Sequence, residues 1–362
     1  DKISTMWVWI PRYTYTYFES TTPTQINIKF ENGIDSSGTI KCRDSIYGSG
    51  STSESCTDKI NNGLKANIST YTHPAFTFGN QELTGIWVGK FENSAVDLPE
   101  ETTTEESKIV IKPNVSSLRY KRPSTTFKDI RQMEQANNMY GFPQSDSTEF
   151  NWNGDLTGDT NNFDTHMMKN MEWGAVAYLS HSKYGINKEV AINSNNAYIT
   201  GCGPQSTEST SSGALCNSYT TALGQSASTT GNVYGVYDMS GGTRENVMGN
   251  EVNEKGLFYN SSDIWTISNQ PALKYYDRYN YNTSDKSYTR GKLGDATKEV
   301  FNTKTSEVWY SDSASFPYRD WSWFDRGGGY YSNLQAGIFS LFNNYGAGFG
   351  SVSSRSVLSI LN

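Results

Sequence analysis

The chain opens on a short apolar run, Met6-Trp-Val-Trp-Ile-Pro11, closed by proline. After it Tyr13, Tyr15 and Tyr17 alternate with Thr14 and Thr16, a period of two in β-favouring residues that predicts a strand entering a hairpin. Residues 20–80 are polar and rich in Gly and Ser, which predicts an insertion of short strands and loops; Gly85-Ile-Trp-Val-Gly-Lys-Phe91 then returns to strand character. A first helix is predicted from Thr126 to Tyr140. Thr126 with Asp129 approximates a capping box, Phe127, Ile130, Met133 and Tyr140 keep helical spacing, and Gly141 followed by Pro143 supplies a stop. A second helix is predicted from Asp164 or Thr165 to Leu179, with Met168, Met171, Ala175 and Tyr178 as a core stripe on one face. Beyond residue 200 helical periodicity fades. Clusters of Ser, Thr and Gly at 205–213 and 224–231 read as loops, and Tyr234-Gly-Val-Tyr-Asp-Met-Ser-Gly241 as a strand ending in a tight turn. With no internal repeat and no sharp compositional break, the pattern predicts one α+β domain over residues 1–362 with long insertions.

Composition adds two constraints. Only 35% of the residues are hydrophobic while 14% are aromatic, so the interior is expected to be filled by rings in an irregular, loop-rich fold rather than by aliphatic layers. A net charge of −7 with no basic run leaves little to neutralise a phosphate backbone or an anionic membrane, which argues against nucleic acid and membrane surfaces as partners. No stretch approaches the roughly 18 apolar residues that would span a bilayer. The chain as read from Asp1 carries no secretory leader, so any export signal is expected to lie outside it.

Cys42, Cys56, Cys202 and Cys216 form two pairs, each 14 positions apart and each bracketing a Ser/Thr/Gly-rich loop. Such a loop has little core to order it, and a staple of this span stabilises by about 3 kcal/mol through the unfolded state. Local pairing is therefore expected, Cys42 with Cys56 and Cys202 with Cys216, and with it an extracellular location. A zinc site or free buried thiols are the alternatives, weakened by polar flanks and the lack of a CxxC.

Several segments, in fixed order, resemble the formylglycine-generating-enzyme-like branch of the C-type-lectin fold. Trp7-Val-Trp-Ile-Pro11 looks like that family's first strand, and Trp87-Val-Gly-Lys-Phe-Glu92 like the strand before its first helix. Asn170-Met-Glu-Trp-Gly-Ala-Val-Ala-Tyr178 is similar to its second-helix motif. Tyr237-Asp-Met-Ser-Gly-Gly-Thr-Arg-Glu245 resembles its Tyr-Asp-Met-Ser-Gly-Asn-x-x-Glu signature, with Arg244 where tryptophan is common. Arg326-Gly-Gly328 matches the opening of its last module, and Arg355 sits where its closing Gly-Phe-Arg would be, with Ser353-Ser354 in place of Gly-Phe. The resemblance implies a C-type-lectin-like α+β fold, with two helices around short antiparallel sheets and long loop insertions.

One branch of that fold is enzymatic, and its chemistry can be checked against the residues. The copper-dependent oxidase needs a cysteine pair just after the Arg-Gly-Gly, because thiolates bind the metal, and Gly329 to Ser354 holds no cysteine. The iron sulfoxide synthases need a histidine cluster, and the chain has only His73, His166 and His181. On one continuous helix His166 and His181 would stand roughly 22 Å apart, too far to share an ion, so both are expected to be capping or surface residues. No GxSxG, HExxH or P-loop occurs, and no carboxylates are spaced to single out an acid/base pair. The calcium-dependent sugar motifs of true lectins are missing too, Gln270-Pro-Ala272 being only a partial echo. Asp155, Asp159 and Asp164 could collect around a structural calcium, but solvated loop acids are the commoner outcome at that spacing. A non-enzymatic chain without cofactors is expected; a metal-dependent oxidase with a relocated site, or a structural pilus-like subunit, is the alternative.

The clearest local anomaly lies near the C-terminus. Across the 26 residues from Gly329 to Ser354 there is no Asp, Glu, Lys or Arg, and 16 of them are Gly, Ser, Tyr or Asn. Antibody loops use that palette, with Tyr for rigid amphipathic area and Ser and Asn for adaptable hydrogen bonds, and interface centres are likewise depleted in charge. A buried, glycine-rich pair of terminal strands is the alternative. Here the chain looks like the variable proteins of diversity-generating retroelements, whose lectin-like scaffold is constant while positions in the last module vary. That resemblance implies a C-terminal ligand-binding module over 320–362. In it Ala336-Gly337, Phe339 and Gly346 look like constant frame, and Gly329, Tyr331, Leu334, Ile338, Ser340, Asn343, Asn344, Tyr345, Phe349 and Ser351 like substituted, ligand-binding positions. Tyr331, Tyr345 and Phe349 are the expected anchors. The implied partner is a protein or other cell-surface ligand, met outside the cell from a bacterial surface, a pilus-like tip or a phage particle.

Overall fold

The computed structural model describes residues 3–35, 40–41, 70–79, 81–144, 162–207, 211–253, 258, 270–280, 290–300 and 307–361. It is a mixed α+β structure of small, mostly antiparallel sheets with few helices. In chain order, the elements that place the C-terminal segment are β1 (Trp7–Pro11), β2 (Tyr13–Thr16), β3 (Gly85–Gly89), α1 (Pro123–Arg131), β4 (Phe163–Met167), α2 (Asn170–Ser180) and β5 (Arg244–Glu251). They are followed by β6 (Asp277–Tyr279), β7 (Trp323–Arg326), β8 (Leu341–Asn344), β9 (Val352–Ser354) and β10 (Ser356–Ile360).

Two sheets share the work. The first has the order β1-β3-β10-β4, so the last strand of the chain pairs with strands from its first half, Leu358 opposite Trp87 and Val357 opposite His166. The second has the order β6-β5-β7-β8, with β9 joining β5 in parallel, Glu245 opposite Ser353. Because β9 and β10 are separated only by Arg355, the closing strands tie one sheet directly to the other. β2 pairs with the short strands Ile28–Phe30 and Thr70–Thr72.

α2 packs against β5 of the second sheet and against the 3₁₀ turn Pro74–Phe76. Every residue from Asn170 to Tyr178 is buried, so this is a core helix rather than an amphipathic one, and the Met and Trp side chains fill space on all sides. At Gly174 a Cβ would stand 1.9 Å from the carbonyl oxygen of Gly294, so only glycine permits the approach. The Glu172 carboxylate accepts from the backbone N–H of Lys169 at 2.8 Å and satisfies one of the orphan donors of the helix N-terminus.

Three expectations are corrected. The second helix begins at Asn170, not Asp164: Asp164 to Met167 form a strand on β10, a partner at the far end of the chain that local periodicity cannot register. The first helix starts at Pro123, which occupies its first turn, and stops at Arg131 with a single 3₁₀ turn after it; Asp129 makes no capping box but accepts from Ser107 N–H at 2.9 Å and pairs with Lys121 at 3.2 Å. Tyr237 to Ser240 form a buried bend instead of a strand, with Asp238 in the left-handed region (φ 62°) and its carboxylate accepting from Gly201 N–H and Asn193.

Cys202 and Cys216 are joined in a disulfide that closes the loop between them. Cys42 and Cys56, and with them their pairing, lie outside the described residues, as do Asp155 and Asp159. No helix among the described residues is long and apolar enough to cross a membrane.

Candidate functional site

The charge-free segment is bounded by two arginines, and both point inward. Arg355 is fully buried, donates to both oxygens of Glu245 (3.0 and 2.5 Å), and also donates to the carbonyls of Gly89 and Tyr237. Burial pushes the Glu245 carboxyl up to about 7, although Arg355 draws it down. Arg326 is also fully buried, lies over the Trp173 ring and donates to the carbonyl of Ala296. The two side chains brace the ends of the segment against the core.

Between them the chain reverses on Gly327 and Gly328, both in the left-handed region, at φ 82° and 69°. A Cβ on Gly328 would stand 2.6 Å from the Ala336 Cα, which explains the double glycine. The carbonyl of Gly327 accepts from Gly241 and Gly337 N–H at 3.1 and 3.0 Å, pinning the turn to the buried bend. A 3₁₀ turn, Tyr330–Gln335, then stands at the surface, β8 runs beside β7, and residues 345–351 form a loop leading to β9.

That loop is held by groups outside it. Tyr120 N–H donates to the Phe349 carbonyl at 3.0 Å, Arg119 to Gly350 at 2.7 Å, Thr102 Oγ1 to Gly348 at 2.6 Å, and Arg244 N–H to Ser351 at 3.1 Å. A Cβ on Gly348 would meet the Tyr120 carbonyl oxygen at 2.7 Å. The backbone path is therefore fixed by main chain, glycines and distant residues, and owes little to the loop's larger side chains.

The ten expected ligand-binding positions divide by orientation. Tyr331 and Leu334 are exposed, at 39% and 55%, and Asn343, Tyr345, Phe349 and Ser351 are half-buried at the surface. Gly329, Ile338, Ser340 and Asn344 are buried. The Ile338 carbonyl accepts from the Trp173 indole, Ser340 Oγ donates to the Gln335 carbonyl, and Asn344 bridges the Asp325 carboxylate and the Gly346 N–H. Asn343 donates to Ser315 Oγ at 2.7 Å.

Aromatic rings connect the outward-facing positions. Trp321, Tyr345 and Phe349 form one chain with centroids 5.0 and 5.3 Å apart, and Tyr198, Tyr330 and Tyr331 a second at 4.9 and 5.3 Å. Arg244 joins them. Its backbone holds Ser351, two residues from Phe349, while its guanidinium lies 5.0 Å from the Phe342 ring centre and donates through Nε to Tyr331 Oη at 3.0 Å. Behind it Asp325 is buried, its carboxylate 3.9 Å from Arg244 Nη1; burial pushes the Asp325 carboxyl up to about 6 against the pull of Arg244 and Asn344. Burial alone would weaken the Arg244 charge, but Asp325 and Tyr331 outweigh it and hold its pKa above the usual value. Tyr198 is pushed up to about 12, mainly by burial and by Tyr330.

Sequence reasoning did not find Arg119, Tyr120 or Tyr198 as parts of this face, because they come from loops remote in the chain; Trp321, Tyr330 and Phe342 lie in the C-terminal module but were not singled out. Arg244 carried a signal, as a charged residue where the family pattern has tryptophan.

The histidines belong elsewhere. His166 is not a surface or capping residue: it is fully buried on β4, with Nδ1 2.8 Å from Asp164 and Nε2 3.0 Å from Glu172. His181 occupies the C-cap of α2 and contacts Tyr310 Oη, and His73 caps the 3₁₀ turn Pro74–Phe76. Among the described residues no group of three or more His, Cys, Asp or Glu is arranged to hold a metal. Chemically, the C-terminal face offers aromatic area, amides, hydroxyls and the guanidinium groups of Arg244 and Arg119, which suit binding by burial and hydrogen bonding.

No protein-family model and no curated protein matches the chain. Among solved structures it is similar to Treponema denticola variable protein 1, with 12% sequence identity and a TM-score of 0.32 over 77% of this chain and 86% of that one.

Proposed function

We propose that this chain is a non-enzymatic ligand-binding protein, displaying a diversifiable C-terminal face on a constant C-type-lectin-like scaffold outside the cell. The observation that carries the reading is the separation of backbone from side chains in the segment after Arg326. Its path is held by Thr102, Arg119, Tyr120, Arg244 and the left-handed glycines, while Tyr331, Leu334, Asn343, Tyr345, Phe349 and Ser351 stand at the surface. A surface built this way can change its side chains and keep its shape. Those six positions are the proposed ligand contacts. Gly329, Ile338, Ser340 and Asn344, also expected from the sequence, would act on a ligand only through the frame they pack. The Cys202–Cys216 disulfide supports an oxidising, extracellular setting, from which receptor recognition or adhesion by a cell-surface or phage-borne protein would follow.

The test is a library in which the six positions are randomised together and sorted for protease resistance. The reading expects most members to fold; a library in which folding survives only with near-parental residues would contradict it.

A further inference from the structure

We propose that Arg244 is the anchor of the face for a carboxylate, and that the ligand is a protein segment presenting Asp or Glu beside apolar side chains. This rests on the C-terminal face being the ligand site. In a chain of net charge −7, the centre of that face carries a cation. The guanidinium sits between the Phe342 and Tyr331 rings, 28% exposed, and its only hydrogen bond among the described residues is the one from Nε to Tyr331 Oη. Asp325 at 3.9 Å lies beyond hydrogen-bond range, so it attracts and orients the cation without consuming the Nη donors. A planar, pre-positioned guanidinium with unspent parallel donors matches a carboxylate bidentately.

A second cation stands on the same face. Arg119 stacks 4.2 Å above the Tyr198 ring, and Tyr198 leads through Tyr330 to Tyr331, the hydrogen-bond partner of Arg244. Tyr120, on the same strut, sets the loop that carries Phe349.

The shape of the face selects among acidic ligands. Tyr345 meets Trp321 at 84° and Phe349 at 86°, Tyr330 meets Tyr331 at 88°, and Tyr198 meets Tyr330 at 78°. Rings set edge to face turn in different directions and make no continuous flat platform of the kind on which a sugar ring stacks. A face broken in this way meets separate side chains, so an acidic protein segment fits it better than an acidic glycan.

The experiment selects random twelve-residue peptides on the whole chain and keeps those whose binding is lost with the triple variant Tyr331→Ala, Tyr345→Ala, Phe349→Ala. If no peptide meets that criterion, the face itself is not the ligand site, and the reading on which this proposal rests has failed. Among peptides that do, we expect Asp or Glu flanked by apolar residues, at least a tenfold loss of affinity with Arg244→Gln, partial recovery with Arg244→Lys, and the same loss when the peptide carboxylate is replaced by its amide. Melting of Arg244→Gln alongside the parent shows whether the variant stays folded; if it does not, the amide-for-carboxylate peptides on the parent chain decide. Face-binding peptides without an acidic residue, or indifferent to both changes, would overturn the proposal. Face-dependent binding of sialylated or uronate glycans with no acidic peptide bound would overturn its choice of ligand.

Discussion

The indole N–H of Trp173, in the buried helix, donates to the carbonyl of Ile338 at 2.7 Å. This bond ties the main chain in the middle of the C-terminal segment to the core. Trp173→Phe removes the donor, leaves a buried carbonyl unsatisfied and opens a small cavity, which should cost about 2–4 kcal/mol. Chemical denaturation of the variant would show it, and a loss below about 0.5 kcal/mol would mean that the bond is not a strut.

Arg355 and Glu245 form a fully buried pair with four donations from the guanidinium. Truncating one partner leaves an uncompensated buried group, so Arg355→Ala should cost about 3–5 kcal/mol, measured by denaturant midpoint. Glu245→Gln also leaves the buried guanidinium without this counter-charge, but it keeps an acceptor, opens no cavity and leaves the donations to Gly89 and Tyr237 in place, so its loss should be smaller than that of Arg355→Ala. Equal losses would contradict the view that Arg355 serves mainly as a scaffold strut.

His166 meets a carboxylate at each ring nitrogen, and carboxylates only accept, so both nitrogens donate and the ring is a cation. Burial opposes that charge, but Glu172 and Asp164 outweigh it and hold the His166 pKa above its usual value. Burial likewise would raise Asp164 and Glu172; Arg131 and His166 hold the first below the carboxylate range, and His166 and Lys169 the second. The signs follow from linkage. The His166 contribution is complete below the unfolded value of about 6.5 and is lost as pH rises through the raised folded value; the carboxylate contributions are present above about 4 and are lost as pH falls. Relative to His166→Asn, the parent should lose its extra stability as pH rises above the unfolded value of about 6.5. Parallel stability curves for the two proteins would refute the assignment.

The Cys202–Cys216 staple closes a loop that leads from the Tyr198 region to the Tyr219 and Tyr237 cluster. Its removal by Cys202→Ser with Cys216→Ser should cost about 3 kcal/mol, read as a lower Tm, while ligand binding by the C-terminal face persists at temperatures where the fold is intact. Loss of binding without loss of stability would place part of the ligand site on that loop.

What the sequence made legible was local. The apolar run at Trp7, the strand at Gly85 and the helix through Trp173 were visible because their patterns lie within a few residues. The strand Asp164–Met167 was hidden because its partner is the last strand of the chain. The bend at Tyr237 to Ser240 alternates like a strand, yet the Tyr237 N–H goes to Lys90 and the Asp238 carboxylate to Gly201 and Asn193, none of them a ladder neighbour. The lack of charge from Gly329 to Ser354 set this segment apart but did not show which of its side chains face outward. Gly and Ser serve equally in a packed frame and on an open face, so Ser340 and Ser351 could not be told apart. Arg119, Tyr120 and Tyr198 reach the face from distant loops, and no local pattern announces that.

The central claim, that the outward side chains of the C-terminal segment bind a ligand and do not hold the fold, is tested most directly by one paired measurement. A ligand selected on the parent chain is titrated against the triple variant Tyr331→Ala, Tyr345→Ala, Phe349→Ala, and the Tm of both proteins is recorded. The account predicts at least a hundredfold loss of affinity with a Tm lowered by less than about 10 °C. Retained affinity, or a variant that no longer folds, would contradict it.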